Sequence, residues 1–222
     1  MKISKLLPIT LALVLGMSCA YADPATKAQA DYELTLKPFF NVTHLGTNLK
    51  SDVTYNDTYT TATLSNDLTG AYTVITNEST NIYLYGACKV NDGNAHALYG
   101  TAEGLKLVFT NENPEQSAHL LTKTQVGDMM KSASPELSPN AVAFNLTVTP
   151  ALIENTYPAG GKITRDTELK DNSLKFSLPN CNSTFTYSVS GPSVDSSFST
   201  LDQKGTYKAT LYLTNAQPAA AL

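Results

Sequence analysis

Apolar and polar positions alternate with a period of two along most of this chain. The first run covers residues 27–37, where Ala28, Ala30, Tyr32, Leu34 and Leu36 fall on one side of an extended segment. Lys27, Gln29, Asp31, Glu33, Thr35 and Lys37 fall on the other. Side chains that change face at every residue mark a strand, so this segment is an apolar ridge backed by charge. A ridge of this kind needs a groove. A groove in the same molecule makes the segment the first strand of a β-sandwich, and a groove in a neighbouring molecule makes it a donated strand.

Further along, residues 39–65 are dense in Asn, Thr, Asp and Tyr with weak alternation, which predicts short edge strands and loops. A strand over residues 71–76 carries Tyr72 and Val74 on one face. The next places Ile82, Leu84, Gly86, Cys88 and Val90 on one face and Tyr83 and Tyr85 on the other. Asn91-Asp92-Gly93-Asn94 predicts a tight hairpin, because Gly and Asn accept the positive φ such turns require, and a strand returns over residues 95–100. Residues 105–110 form another strand. Leu120, Leu121, Val126, Met129 and Met130 predict a short helix under a long connection.

Val142, Phe144, Leu146 and Val148 alternate with Ala143, Asn145 and Thr147, and residues 150–172 read as a long loop with a short strand near 162–164. Leu174, Phe176 and Leu178 form a strand, Cys181 sits in the corner that follows, and Phe185, Tyr187 and Val189 form the next. After a Ser-rich loop the last strand turns Tyr207, Ala209, Leu211 and Leu213 inward. Many short strands, abundant turn residues and little helix predict an all-β fold, an antiparallel β-sandwich with Greek-key connections.

Residues 1–22 have a basic start at Lys2 and Lys5, an apolar run, and the small-x-small pattern Ala20-Tyr21-Ala22, the features of a cleaved signal peptide. Cys19 at the end of that run is the alternative of a lipid-modified cysteine. The expected organisation is a signal peptide over 1–22, an N-terminal extension over 23–37 and a single domain over 38–222. With the leader removed, Cys88 and Cys181 remain, an even count in an oxidising compartment, which predicts a disulfide.

Of 15 basic residues, 13 remain without Lys2 and Lys5, against 19 acidic ones, a net charge of −6. Arg165 is the only arginine. Nucleic-acid binding relies on a basic surface that displaces counterions from phosphates, so this composition argues against a nucleic-acid partner. His44, His96 and His119 stand apart from one another, and no pair of them has the spacing of metal ligands. No Gly-x-Ser-x-Gly elbow and no phosphate-cradling glycine loop is present, and the chain has no tryptophan to line a sugar cleft. The expectation is a protein without catalytic residues, metal or cofactor.

Three features together resemble the structural subunits of chaperone–usher fimbriae. They are the leader followed closely by the alternating ridge, the Lys204-Gly205-Thr206-Tyr207 entry into the last strand, and a Thr/Asn/Ser-rich, arginine-poor mature chain. Subunits of that family are immunoglobulin-like sandwiches lacking their last strand, and the gap accepts the N-terminal extension of the next subunit. The resemblance implies that Ala28, Ala30, Tyr32, Leu34 and Leu36 fill pockets of a neighbouring copy. It casts Tyr207, Ala209, Leu211 and Leu213 as one wall of the acceptor groove.

Its implied partners are further copies of the chain, a periplasmic chaperone, an outer-membrane usher and a host-surface receptor, and its implied location is the cell surface, reached through the periplasm. No glycine interrupts the ridge, and the span from Cys88 to Cys181 is long, so the resemblance is to a divergent branch, nearer the colonisation-factor type than the type 1 subunits. The rival reading is a self-contained secreted sandwich that binds a glycan or host protein through residues 150–172 and exposed tyrosines.

Overall fold

The computed structural model describes residues 33–55, 61–112, 120–130, 139–154, 159–191 and 204–218. The expected leader and the ridge residues Ala28, Ala30 and Tyr32 lie outside them. Two compact units are separated at Pro38 and Phe39. In the first, residues 33–38 carry no strand, in contrast to the expectation for residues 27–37. Alternation assigns side chains to faces, but a strand also needs a hydrogen-bonded neighbour, and this stretch has no ladder partner.

In the second unit the strands are β1 (Phe40–Asn48), β2 (Val53–Tyr55), β3 (Ala62–Leu64), β4 (Leu68–Thr76), β5 (Thr80–Val90), β6 (Gly93–His96), β7 (Leu98–Thr101) and β8 (Gly104–Asn111). The helix α1 (Lys123–Met129) follows, then β9 (Ala141–Leu152), β10 (Thr164–Arg165), β11 (Ser173–Leu178), β12 (Cys181–Ser190), β13 (Tyr207–Lys208) and β14 (Thr210–Thr214). The fold is all-β and antiparallel. One sheet has the order β1-β4-β12-β9-β8-β13, with β7 also on β8, and a second has the order β10-β11-β5-β14, with β6 also on β5. The strands β2 and β3 form a separate hairpin.

The period-two pattern explains the core. Tyr72 and Val74 of β4, Phe185 and Val189 of β12, and Phe144 and Leu146 of β9 are buried on the inner face of the first sheet. They meet Ile82 and Leu84 of β5 and Leu174, Phe176 and Leu178 of β11. Phe176 and Phe185 join the two sheets edge to face, with ring centroids 5.1 Å apart. Each such large side chain taken out of water contributes about 1.5–3 kcal/mol.

Two chain segments leave one sheet for the other in mid-course. The predicted return strand over residues 95–100 is in fact β6 on β5 and then β7 on β8. At the change-over, the Ala97 N–H donates to the Gly86 carbonyl (2.9 Å) and the Ala97 carbonyl accepts from Val108 (2.8 Å). A Cβ on Gly86 would lie 2.7 Å from a Leu107 methyl, so glycine here is what lets the sheet curl so closely. The last predicted strand divides in the same way at Ala209, with β13 on β8 and β14 on β5.

Three further expectations are corrected. Residues 39–65 hold a nine-residue strand, β1, as well as short pieces; it lies at a sheet edge with most of its residues exposed, which removes the alternation that would have announced it. The long loop begins later than expected, because β9 runs on to Leu152, and it ends on a hairpin turn: Asp171 and Asn172 both have positive φ between the bridged Lys170 and Ser173.

Cys88 and Cys181, expected to be bridged, are both free buried thiols. Cys181 pairs with Thr76 at the corner leading into β5, while Cys88 lies eight residues beyond Thr80 along β5. That is about 27 Å of strand, and a disulfide needs Cα atoms within about 7 Å.

The short helix is present. Thr122 caps it by accepting from the Gln125 N–H while the Gln125 side chain accepts from the Thr122 N–H (2.8 Å), and Val126 is fully buried. Among the described residues no helix is long and apolar enough to cross a membrane.

Candidate functional site

The edges of the two sheets are where the expected contact residues gather. β1 ends the first sheet and pairs only with β4; β14 ends the second and pairs only with β5, among the described residues. The register Val42↔Val74 and His44↔Tyr72 puts Phe40, Val42 and His44 on the inner face of β1. Leu211↔Gly86 and Leu213↔Leu84 do the same for Leu211 and Leu213 on β14. The Tyr72 hydroxyl donates to the Leu211 carbonyl (2.5 Å), which brings β14 over the β1–β4 pair. The two free edges therefore flank one opening.

That opening is apolar and incompletely covered. Leu213 is buried, but Leu211 beside it and Ala209 at the change of sheet are only partly buried against the core, while Tyr207, expected to share their face, sits on β13 opposite Asn111 of β8, at the other edge of the first sheet from β1. On β1, Phe40 and Val42 are likewise half-covered, and His44 is exposed. In the interior of the same sheet, Val74 and Phe185 are fully buried. The inner faces of the edge strands thus lack the layer that covers the strands behind them.

A tyrosine–histidine cluster forms the floor at one end. His44 Nε2 and the Tyr187 hydroxyl are 2.8 Å apart, with the two rings nearly parallel. Tyr72 lies against both rings. Gly70 makes room for this cluster, since a Cβ there would lie 2.6 Å from Tyr187 Cζ. Burial raises the Tyr72 phenol well above its ordinary pKa, and the neighbouring Tyr187 and Tyr212 hydroxyls push it further the same way. The Tyr72 and Tyr187 phenols, both raised by burial, are neutral hydrogen-bonding groups at neutral pH, suited to packing rather than to acid–base chemistry.

The sequence singled out β14 but not β1, Tyr72 or Tyr187 as parts of this opening. Phe40, Val42 and His44 alternate, yet three residues with exposed neighbours are too short a signal to name a strand.

Leu34 and Leu36, in the first unit, are exposed at 77% and 79%. The two cysteines lie one in each sheet, and burial pushes the Cys88 thiol up to about 11. Among the described residues no group of three His, Cys, Asp or Glu side chains is placed to hold a metal ion.

No family model, curated protein or solved structure matches the chain.

Proposed function

We propose that this protein is an exported fimbrial structural subunit that polymerises by donating its N-terminal strand to a neighbouring copy and serves cell-surface adhesion. In this reading the two sheets are an immunoglobulin-like sandwich with one strand missing. The observation that carries it is the opening between β1 and β14, two unpaired edges whose inner faces are only partly covered. An added strand would pair its main chain with such an edge and set alternate side chains into the gap.

The chain also carries a segment of the kind that would fit. Leu34 and Leu36 alternate with polar residues, stand almost fully exposed and belong to no strand. Exposed edges are a hazard for a monomer, which makes a periplasmic chaperone that covers them a natural partner. Head-to-tail donation does not close on itself, so the product is a fibre.

Replacing both ridge leucines, Leu34→Asp with Leu36→Asp, tests the proposal in cells that make the assembled protein. The expected outcome is a folded, exported monomer that no longer enters multimers. Multimers at the level of the unmodified protein would contradict it.

A further inference from the structure

Away from the β1–β14 opening, the structure holds an open cleft of about 450 Å³ bordered by β8, β9, β10 and the end of β12. Its polar lining is Glu103, Lys106, Asn145, Thr147, Arg165 and Ser190. Lys106 is 4% exposed, an unusual position for an ammonium group. The register Lys106↔Asn145 between β8 and β9 brings the amide oxygen of Asn145 into hydrogen-bonding contact with its Nζ. Glu103 Oε2 is the other partner, at 3.4 Å, and its side chain is 83% exposed.

Arg165, the chain's only arginine, is exposed on β10, where its backbone pairs with β11 and its guanidinium makes no hydrogen bond or ion pair with the described residues. The nearby acidic residue Asp166 is occupied by Lys175 at 3.8 Å.

We infer that this cleft binds a sugar carrying a single oxyanion, a carboxylate or a sulfate, which Lys106 and Arg165 hold between them. Two cations against one carboxylate leave the cleft one positive charge in excess, matched to a monoanion. A buried, pre-positioned ammonium is worth more to an anion than a mobile surface lysine, because its desolvation and ordering have already been met by the fold. The guanidinium adds a planar fork suited to a two-oxygen acceptor. Asn145, Thr147 and Ser190 offer neutral donors and acceptors for ring hydroxyls, and the volume suits one or two sugar rings. Glu103 competes with the ligand for the ammonium and swings outward when it binds. The site lies on one subunit and stands whether or not the chain polymerises.

Titration calorimetry of the full chain with 3′-sialyllactose, sulfated lactose and plain lactose tests this. One or both anionic sugars should bind at least about tenfold more tightly than lactose, the difference made by one charge-assisted contact. Arg165→Gln should weaken that binding about tenfold, and Glu103→Gln should tighten it. Lys106→Met should abolish it; should that variant fail to fold, the two surface substitutions carry the test. Equal affinity for lactose, no binding of either anionic sugar, or indifference to both Arg165→Gln and Glu103→Gln would overturn the assignment.

Discussion

Tyr72 and Tyr99 are both buried phenols, and they differ in one respect that stability measurements can read. The Tyr72 hydroxyl donates to Leu211, whereas the Tyr99 hydroxyl has no partner among the described residues. Removing a satisfied buried hydrogen bond costs about 1 kcal/mol or more, and removing an orphan hydroxyl costs nothing. Tyr72→Phe should therefore lower the unfolding free energy by about 1–2 kcal/mol in urea, and Tyr99→Phe should leave it unchanged or raise it.

Both phenols are also raised by burial, Tyr99 to about 12. The unfolded chain loses these protons near pH 10 while the folded one still holds them, so stability is intact below pH 10 and falls as pH climbs above it. Urea midpoints measured from pH 8 to 11 should show that decline, and Tyr99→Phe should flatten it. The buried Cys88 thiol, up to about 11, and Cys181, raised by burial, should resist a thiol reagent at pH 8 until denaturant is added. Rapid labelling of the native protein would contradict the burial.

At the scale of elements, the close approach at Gly70 joins β4 to β12. Gly70→Ala should cost about 1–3 kcal/mol by driving a methyl into the Tyr187 ring. In a Tyr187→Ala background the same change should cost much less, a coupling that a double-mutant cycle measures directly. Equal costs in both backgrounds would show that the ring is not what Gly70 accommodates.

What could be read in the sequence follows from where each strand sits. β5, β9, β11 and β12 have a buried inner face and a polar outer one, and their alternation announced them. β1, at an edge and mostly exposed, gave no such pattern. The changes of sheet at Ala97 and Ala209 are set by long-range pairing with β5 and β8, which a period of two does not encode. The disulfide expectation rested on an even cysteine count in an oxidising compartment, and strand register separates the pair. Of the two free edges, alternation pointed to the residues of β14 and not to those of β1. The Lys106–Arg165 cleft was invisible because its residues come from β8 and β10, separated by 59 positions, and meet only in the fold.

The molecule as a whole has an incompletely covered core and an exposed alternating segment, and the proposed strand donation between copies would account for both. An intermolecular strand buried in a core dissociates only when that core unfolds, so such assemblies are separated by heat and not by detergent alone. The most direct measurement is the gel mobility of the protein taken from the cell surface in detergent, with and without boiling. A ladder of multimers that collapses to a single band only on boiling is the expected result. A single monomer band under both conditions would contradict strand donation.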